Sequence, residues 1–275
     1  MSEDKNTLPE TARGGPIARF MALPTDSVAK TLFVAVTLCL VASMIVSAAA
    51  VALRPTQEIN ALKDKQINIL QVAGIYDPEK DVLDSFAAFE PHVLELSTGA
   101  FTQEFDAASF DDRAAADDPA TSIALEDDPA GIVRQGKYVT VYLLRDDAGE
   151  IDKLIMPLHG YGLWSTLYGF IALEENGNDI FGLQFYDHAE TPGLGAEVDN
   201  PRWKALWNGK RLSDEDGTLQ ISVTKAAPAA GKDYHIDALA GATLTTNGVH
   251  NLVRFWMGEA GYGPFLDTLK AGDVQ

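Results

Sequence analysis

Residues 31–53 read TLFVAVTLCLVASMIVSAAAVAL, an apolar run without a single charge that lies between Lys30 and Arg54. At about 1.5 Å per residue, a helix of this length measures about 34 Å, slightly more than the hydrocarbon core of a bilayer. A cleaved signal peptide would start with a short basic stretch, whereas a long segment of mixed charge precedes this run. We therefore predict a retained transmembrane helix over residues 31–53.

The charge of the chain is concentrated after this run. Residues 1–53 hold equal numbers of acidic and basic side chains, so the rest of the chain carries the whole net charge of −19. Nucleic-acid binding requires a basic surface, so nucleic acid is excluded as a partner. Basic residues flank the run evenly within about twenty residues of each end, so the positive-inside rule assigns no orientation.

Cysteine and histidine usage argues against a bound metal. Cys39 is the only cysteine, so the chain alone can form neither an intrachain disulfide nor a cysteine-ligated zinc or iron–sulfur site. The five histidines include no pair with the spacing of metal ligands. There is also no GxGxxG motif and no P-loop. We predict no metal site, no catalytic residue and no direct dinucleotide binding.

Hydrophobic periodicity predicts helices on both sides of an acidic segment. The membrane helix is expected to continue through residues 54–72. A second helix is expected to start at Asp77 as N-cap, with an apolar stripe from Val82 to Leu94 that Pro91 could divide in two. Residues 104–128 contain nine acidic residues and one basic residue, with little apolar content. This composition indicates an exposed, mobile insertion.

The remainder alternates as β-strands do. Two hairpins are predicted over residues 137–158 and 167–186, with a further strand over 218–224 and a short helix over 201–207. A last helix carries an apolar stripe over residues 249–257, ended by a glycine. The predicted class is α+β, with a single N-terminal transmembrane helix followed by one mixed helix/antiparallel-sheet domain over residues 54–275.

Residues 237–248, DALAGATLTTNG, place small side chains and three hydroxyls at the start of the last helix. A helix N-terminus presents unpaired amides and the positive end of a dipole, which favours a phosphate. Thr243, Thr245 and Thr246 could cap the helix, or one of them could be esterified. Nothing adjacent would activate a threonine hydroxyl, so attachment is expected to need a separate transferase.

Two loops rich in glycine and aromatic residues point to a flat ligand. They read HGYGLWS over residues 159–165 and HAETPGLG over residues 188–195. An isoalloxazine ring is flat and largely apolar with a hydrogen-bonding edge, and it needs such apolar faces with backbone donors brought close by glycine.

These loops, the GATLTTNGV segment and the single anchor together resemble the C subunit of the Na⁺-translocating NADH:quinone oxidoreductase, over essentially the whole chain. The resemblance implies one FMN, linked through its phosphate to the last threonine of a Ser-Gly-Ala-Thr motif, which is Thr243 here. Ala240 stands where that motif has serine. Asp237 matches the aspartate of the motif, which implies a part in recognition by a flavin transferase.

The resemblance extends to the surroundings of the flavin. It implies that the turn and the helix start hold the phosphate, and that the glycine-rich loops enclose the ring. The implied cofactor-binding residues besides Thr243 are Gly241, Ala242, Leu244, Thr245, Thr246, Asp237, Glu190, Thr191, Gly193, Leu194 and Trp164.

The resemblance also implies a location and partners. Residues 1–30 would be cytoplasmic, residues 31–53 would cross the bacterial inner membrane once, and residues 54–275 would form a periplasmic FMN-binding domain. The chain would relay electrons beside other membrane subunits of the complex, after modification by the transferase.

Alternative functions remain open from the residues. The G subunit of the RNF-type ferredoxin:NAD oxidoreductase shares the anchor, the threonine motif and a TPGLG-type loop. A flavin-free anchored assembly or binding module would use the threonines as helix caps and the aromatic residues as core. A free-standing anchored flavoprotein for extracellular electron transfer would have no membrane partners.

Overall fold

The computed structural model describes residues 16–21, 23–24, 27–229 and 231–272. Residues 1–15, half of the predicted cytoplasmic segment 1–30, lie outside the described residues. The chain forms two compact units with a boundary between Ala61 and Leu62.

The first unit is helical. It contains helix α1 (Pro16–Met21) and most of helix α2 (Val28–Val72), which includes the whole apolar run and continues beyond it, as predicted. Within the part of the chain that the structure describes, α2 is the one helix long and apolar enough to cross a membrane. Side chains 31–64 are all exposed, as expected for a segment that meets lipid or partners.

The second unit is built on a seven-stranded antiparallel sheet. Its strand order is β2-β1-β5-β6-β7-β8-β9, and the predicted α+β class is confirmed. The strands of this sheet are β1 (Phe89–Glu95), β2 (Ala100–Thr102), β5 (Tyr138–Arg145), β6 (Ile151–Tyr161), β7 (Thr166–Glu174), β8 (Asp179–Asp187) and β9 (Lys210–Arg211). The central four form the two predicted hairpins.

Smaller elements surround the sheet. Two short pairs lie outside it, the antiparallel β3 (Ser122–Ala124) with β4 (Arg134–Gly136) and the parallel β10 (Ser222–Thr224) with β11 (His235–Asp237). The further helices are α3 (Val82–Phe86), α4 (Asp112–Asp117), α5 (Pro201–Lys204), α6 (Thr243–Met257) and α7 (Gly263–Lys270). Short 3₁₀ turns cover Gly195–Asp199, Ala205–Trp207 and Lys232–Tyr234.

The sheet is buried on both faces, because alternate side chains of its central strands enter different hydrophobic clusters. On β5, Val141 and Leu143 join the cluster that contains α6, while Tyr142 and Leu144 join the cluster formed with the end of α2. Burial on both faces explains why these strands are almost continuously apolar in sequence.

Helix α6 is held to the edge of strand β6. The Trp256 indole N–H donates to the His159 carbonyl at 2.7 Å, and the Tyr262 hydroxyl, just beyond the helix, donates to the Pro157 carbonyl at 2.6 Å. These bonds fix the helix whose first turn contains the threonine segment.

The helix predicted from Asp77 to Leu94 is wrong. The N-cap is Asp81, whose carboxylate accepts from the Leu83 and Asp84 amides, and the helix ends at Phe86. The second half of the predicted helix is strand β1, which pairs with β5 along its whole length. Pro91 is tolerated there because β2 pairs only with the far end of β1, which leaves one side of Pro91 free.

Three other predictions need correction. Most residues of the acidic segment 104–128 are exposed, as predicted, but the segment carries α4 and β3, and the Asp112 carboxylate accepts from the Thr140 amide of the sheet at 2.6 Å. The strand predicted over 218–224 is shortened to β10. Helix α6 ends before Gly258 as predicted, but it is not the last helix, since α7 follows.

Candidate functional site

Helix α6 starts at Thr243 with an uncapped first turn. Its N-cap is Ala242, which has no side chain able to accept from the first amides. The preceding Gly241 has φ +74, a left-handed conformation that favours glycine. The first-turn amides and the positive end of the helix dipole therefore have no capping side chain and are available to an anionic group.

The three threonines of this helix have different environments. The Thr245 hydroxyl is fully buried and donates to Glu190 Oε2 at 2.6 Å. The Thr246 hydroxyl is also buried, accepts from the Leu239 amide at 3.1 Å and donates to the Ala242 carbonyl at 2.9 Å. Thr243 alone of the three is exposed.

Glu190 lies at the centre of the site and is 5% exposed. Its Oε1 accepts from the backbone amides of Leu163 and Trp164 at 2.9 Å each and of Ser165 at 3.3 Å. Burial by itself would raise the pKa of this carboxyl, but the bonds from Thr245 and the three amides outweigh it and hold the pKa below the ordinary value of 4.5. Glu190 is thus an ionised carboxylate held by neutral donors.

Glycines allow the segments to approach. A Cβ on Gly162 would lie 2.6 Å from Glu190 Oε1, and a Cβ on Gly195 would lie 2.5 Å from Oε2. A Cβ on Gly248 of α6 would lie 2.4 Å from the Tyr161 carbonyl, and one on Gly241 would lie 3.1 Å from Leu194 Cδ2. Strand β6, both loops and α6 therefore meet at one place.

Exposed apolar side chains are concentrated here. Beyond Leu83, seven large apolar residues are exposed in the described chain, and five of them lie on these segments. We name these five the apolar patch: Tyr161, Leu163, Trp164, Leu194 and Leu244, which are 49%, 37%, 65%, 44% and 59% exposed. Such a concentration marks a ligand or interaction surface rather than ordinary scatter.

A side chain of α5 holds the segment that precedes α6. The Trp203 indole N–H donates to the Asp237 carbonyl at 2.8 Å, whereas the Asp237 side chain is exposed. In the other loop, His188 Nε2 lies 2.8 Å from Asp199 Oδ2 and its Nδ1 accepts from the Glu190 amide at 3.3 Å.

The residues predicted from the sequence as cofactor-binding lie on the loops and the helix described above, and their part in binding stays a prediction. The structure brings Gly241 next to Leu194, and Glu190 links the Trp164 amide to Thr245 of α6. Thr191 and Gly193 are exposed on the loop of Leu194, and Ala242, Thr243 and Leu244 form the start of α6. Residues 159–161, predicted as loop, belong to strand β6. The parts not predicted are the remaining members of the apolar patch, Tyr161 and Leu163, and the glycines that enclose Glu190.

Comparisons with known proteins cover these segments. The FMN-binding domain family matches residues 162–258, which include both loops and helix α6. The chain is 48% identical to the C subunit of the Na(+)-translocating NADH-quinone reductase of Pseudomonas aeruginosa, over 90% of this chain and 98% of that protein. It is 46% identical to the C subunit of the same reductase in Yersinia pestis, over 91% of this chain and 96% of that protein.

Solved structures resemble it as well. The crystal structure of Shewanella oneidensis NqrC superimposes with a TM-score of 0.71 at 35% identity, covering 77% of this chain and 99% of that chain. The crystal structure of the C subunit of the Na(+)-translocating NADH-quinone reductase from Parabacteroides distasonis superimposes with a TM-score of 0.63 at 27% identity. That match covers 78% of this chain and 96% of the other.

Proposed function

The chain belongs to the family formed by the C subunit of the Na⁺-translocating NADH-quinone reductase, and from that premise we propose that it carries one FMN esterified to Thr243. It is an electron-relaying flavoprotein subunit of an oxidoreductase complex. In the proposal, the flavin performs the electron transfer, and the protein holds and shields it.

Thr243 is favoured over its neighbours by exposure and by hydrogen bonding. The Thr245 and Thr246 hydroxyls are buried and used within the fold, whereas Thr243 is exposed at the uncapped start of α6. A phosphate esterified there would be next to free amides and the positive end of the helix dipole, which would offset its remaining charge. Gly241 and Ala242 would leave room beside it.

The apolar patch is the observation that carries the proposal. Its five side chains are exposed around the start of α6, where a flat, largely apolar ring could cover them and remove them from water. In this arrangement Trp164 and Leu163 would contact the ring from one loop, with Thr191, Gly193 and Leu194 on the other. The buried side chains would support the loop and the helix without contact to solvent: Glu190, Thr245 and Thr246. Asp237 would assist recognition by the transferase.

The location and the partners are parts of the same proposal. We propose a single pass of the bacterial inner membrane, with the flavin-binding domain in the periplasm and the other membrane subunits of a sodium-translocating complex beside it. The apolar helix supports the anchor, and the names of the relatives as subunits support the partners. A separate flavin transferase fits the absence of any base beside Thr243 in sequence.

The alternative functions have less support. The relatives are named as a component of the Na⁺-translocating reductase, which favours that complex over the RNF-type one. A flavin-binding family matches the residues around the site, which favours a flavoprotein over a flavin-free assembly module.

Intact mass and in-gel flavin fluorescence after full denaturation test the covalent link. The full chain is co-expressed with a flavin transferase as wild type, Thr243→Ala and Thr243→Ser, with Asn247→Ala as a neighbouring exposed control. We expect flavin mass and fluorescence in wild type and in Asn247→Ala, and complete loss of both in Thr243→Ala. Thr243→Ser keeps a hydroxyl and should retain some modification. An unmodified wild-type chain, in cells that modify a control flavoprotein, would exclude Thr243 as the acceptor.

A further inference from the structure

We infer that Glu190 is a positioning residue of the flavin site: its buried carboxylate joins the loop that carries Leu163 and Trp164 to the helix that carries Thr243. The inference rests on the proposed function for its consequence, which is that the ring-contacting loop and the attachment point keep one fixed geometry. The joining of loop and helix is a property of the chain alone.

Both carboxylate oxygens are used by the protein. Oε1 accepts three backbone amides from residues 163–165, and Oε2 accepts the Thr245 hydroxyl at 2.6 Å. With 5% exposure, the side chain has no free face for a ligand. The resemblance gave Glu190 as a cofactor-binding residue, but these bonds make it act through its neighbours.

A buried carboxylate without a cation is costly unless hydrogen bonds replace its hydration. No lysine or arginine contacts Glu190 among the described residues, yet four donors converge on it, and charge-assisted hydrogen bonds are the strong ones. Unlike an apolar side chain, an ionised carboxylate at this position makes directional hydrogen bonds both to the loop and to the helix.

The main chain is shaped around the carboxylate. Gly162 and Gly195 each lie where a Cβ would come within about 2.6 Å of a Glu190 oxygen, so neither position can carry a side chain without displacing it. A Cβ on Gly195 would also lie 2.6 Å from Thr245 Oγ1, between the two partners of the bond. Two glycines in different segments are thus fitted to one side chain.

Further bonds fix the direction from which Glu190 enters. The Ala189 amide donates to Ser165 Oγ at 2.7 Å, which joins the two loops a second time. The Glu190 amide donates to His188 Nδ1, so His188 presents its Nε2–H to Asp199 at 2.8 Å. The backbone on both sides of the carboxylate is therefore held before the side chain makes its contacts.

Substitutions separate a geometric joint from a general structural role. Glutamine has the same length, and its Oε1 can accept the three amides while its Nε2 donates to a rotated Thr245 hydroxyl. Glu190→Gln should therefore preserve the joint, whereas Glu190→Ala removes both ends. Thr245→Val cuts only the helix end, and Thr245→Ser restores the hydroxyl.

The test combines amide hydrogen exchange with visible circular dichroism of the flavin, on the full chain in detergent. Exchange is measured on the unmodified Thr243→Ala background, so it does not depend on the flavin. We expect Glu190→Ala to speed exchange at residues 163–165 by at least about tenfold, since these amides lose their acceptor. Glu190→Gln should stay within about threefold of the parent. In the modified chain, flavin dichroism should change in Glu190→Ala and in Thr245→Val, and return in Glu190→Gln and Thr245→Ser.

Each contrary outcome has a separate meaning. Unchanged exchange in Glu190→Ala, or a Glu190→Gln variant as altered as Glu190→Ala, overturns the positioning role. Altered dichroism with unaltered exchange also overturns it, because Glu190 would then act on the flavin directly. If Glu190→Ala does not fold, the Thr245 pair and Glu190→Gln still decide. An unmodified wild-type chain rejects the proposed function alone, since the exchange measurement remains valid.

Discussion

Two largely buried carboxylates in the same domain differ in how their charge is supported. Glu190 has no cationic partner among the described residues but accepts four hydrogen bonds, and its pKa lies below the ordinary value. Asp112 of α4 has Lys65 Nζ at 3.5 Å and the Thr140 amide at 2.6 Å. Its burial outweighs both partners, and its pKa lies above the ordinary value.

At these two positions, four hydrogen-bond donors offset the burial of Glu190, whereas Lys65 and one amide do not offset the burial of Asp112. Each amide on Glu190 is placed by the backbone, so it costs no side-chain ordering, whereas Lys65 must fix a long flexible chain. The arrangement at Glu190 suits a precise joint. The arrangement at Asp112 fixes the acidic segment and the end of α2 to the sheet, where exact geometry matters less.

The largest effect should come from removing the cation at Asp112. Lys65→Met keeps the apolar stem but leaves the carboxyl with one amide partner, and we expect a loss of about 3 kcal/mol in the free energy of unfolding, the low end for breaking a buried pair. The side chains of Lys65 and Asp112 are only 27% and 17% exposed, which justifies that range. Urea unfolding of the detergent-solubilised chain, followed by tryptophan fluorescence, measures it.

A matched surface pair and a double variant check this assignment. Lys80→Met breaks the exposed pair with Asp77 and should cost less than about 0.5 kcal/mol. Adding Asp112→Asn to Lys65→Met should recover part of the loss, because the amide oxygen still accepts from Thr140 without needing a cation. A Lys65→Met loss no larger than that of Lys80→Met would mean that the two pairs are equivalent.

A methyl group inserted beside Glu190 should have the next largest effect. In Gly195→Ala the new Cβ would lie 2.5 Å from Glu190 Oε2, and we expect a loss of about 2 kcal/mol in the free energy of unfolding from overpacking. The control is Gly193→Ala, two residues away, where φ is +75 but nothing lies near the new atom. Backbone strain alone should cost about 1 kcal/mol there. Equal losses in urea unfolding would show that crowding of the carboxylate is unimportant.

The parts of the fold that the sequence could predict are those set by local patterns. Helix α2, the two hairpins and α6 were predictable because each is a long pattern whose period is visible within its own residues. Strand β1 was mistaken for helix because Phe89, Val93 and Leu94 continue the helical spacing of the residues before them. Their true partners lie in β5, far along the chain, and pairing of that kind leaves no local mark.

The site divides in the same way. A compact segment and the family resemblance are enough to single out Thr243 as the proposed attachment point, which stays a prediction. The joint at Glu190 could not, because its donors are 26 residues away at Trp164 and 55 residues away at Thr245. Only the fold brings them together, and in sequence Gly162 and Gly195 look like ordinary loop glycines.

The smallest effect should appear in the pH dependence of stability, where the two carboxylates have opposite signs. The Glu190 pKa is below 4.5 in the folded chain, so its contribution is present above pH 4.5 and is lost as the pH falls through the folded pKa. The Asp112 pKa is raised above 3.8, so the folded state binds that proton more tightly, and the penalty of the buried charge is relieved as the pH falls.

Glu190→Gln should therefore flatten the acid loss of stability between about pH 5 and pH 3, and Asp112→Asn should make it steeper. Burial lowers the pKa of His159 to about 4, so protonation of this residue also destabilises the folded chain in acid. His159 is present in wild type and in both variants, so its contribution cancels in the difference. Urea midpoints measured across this range, with each variant subtracted from wild type, isolate the two groups. Parallel curves for all three proteins would show that neither carboxyl changes its pKa on folding, which would remove the physical basis of the contrast between the donors at Glu190 and the lysine at Asp112.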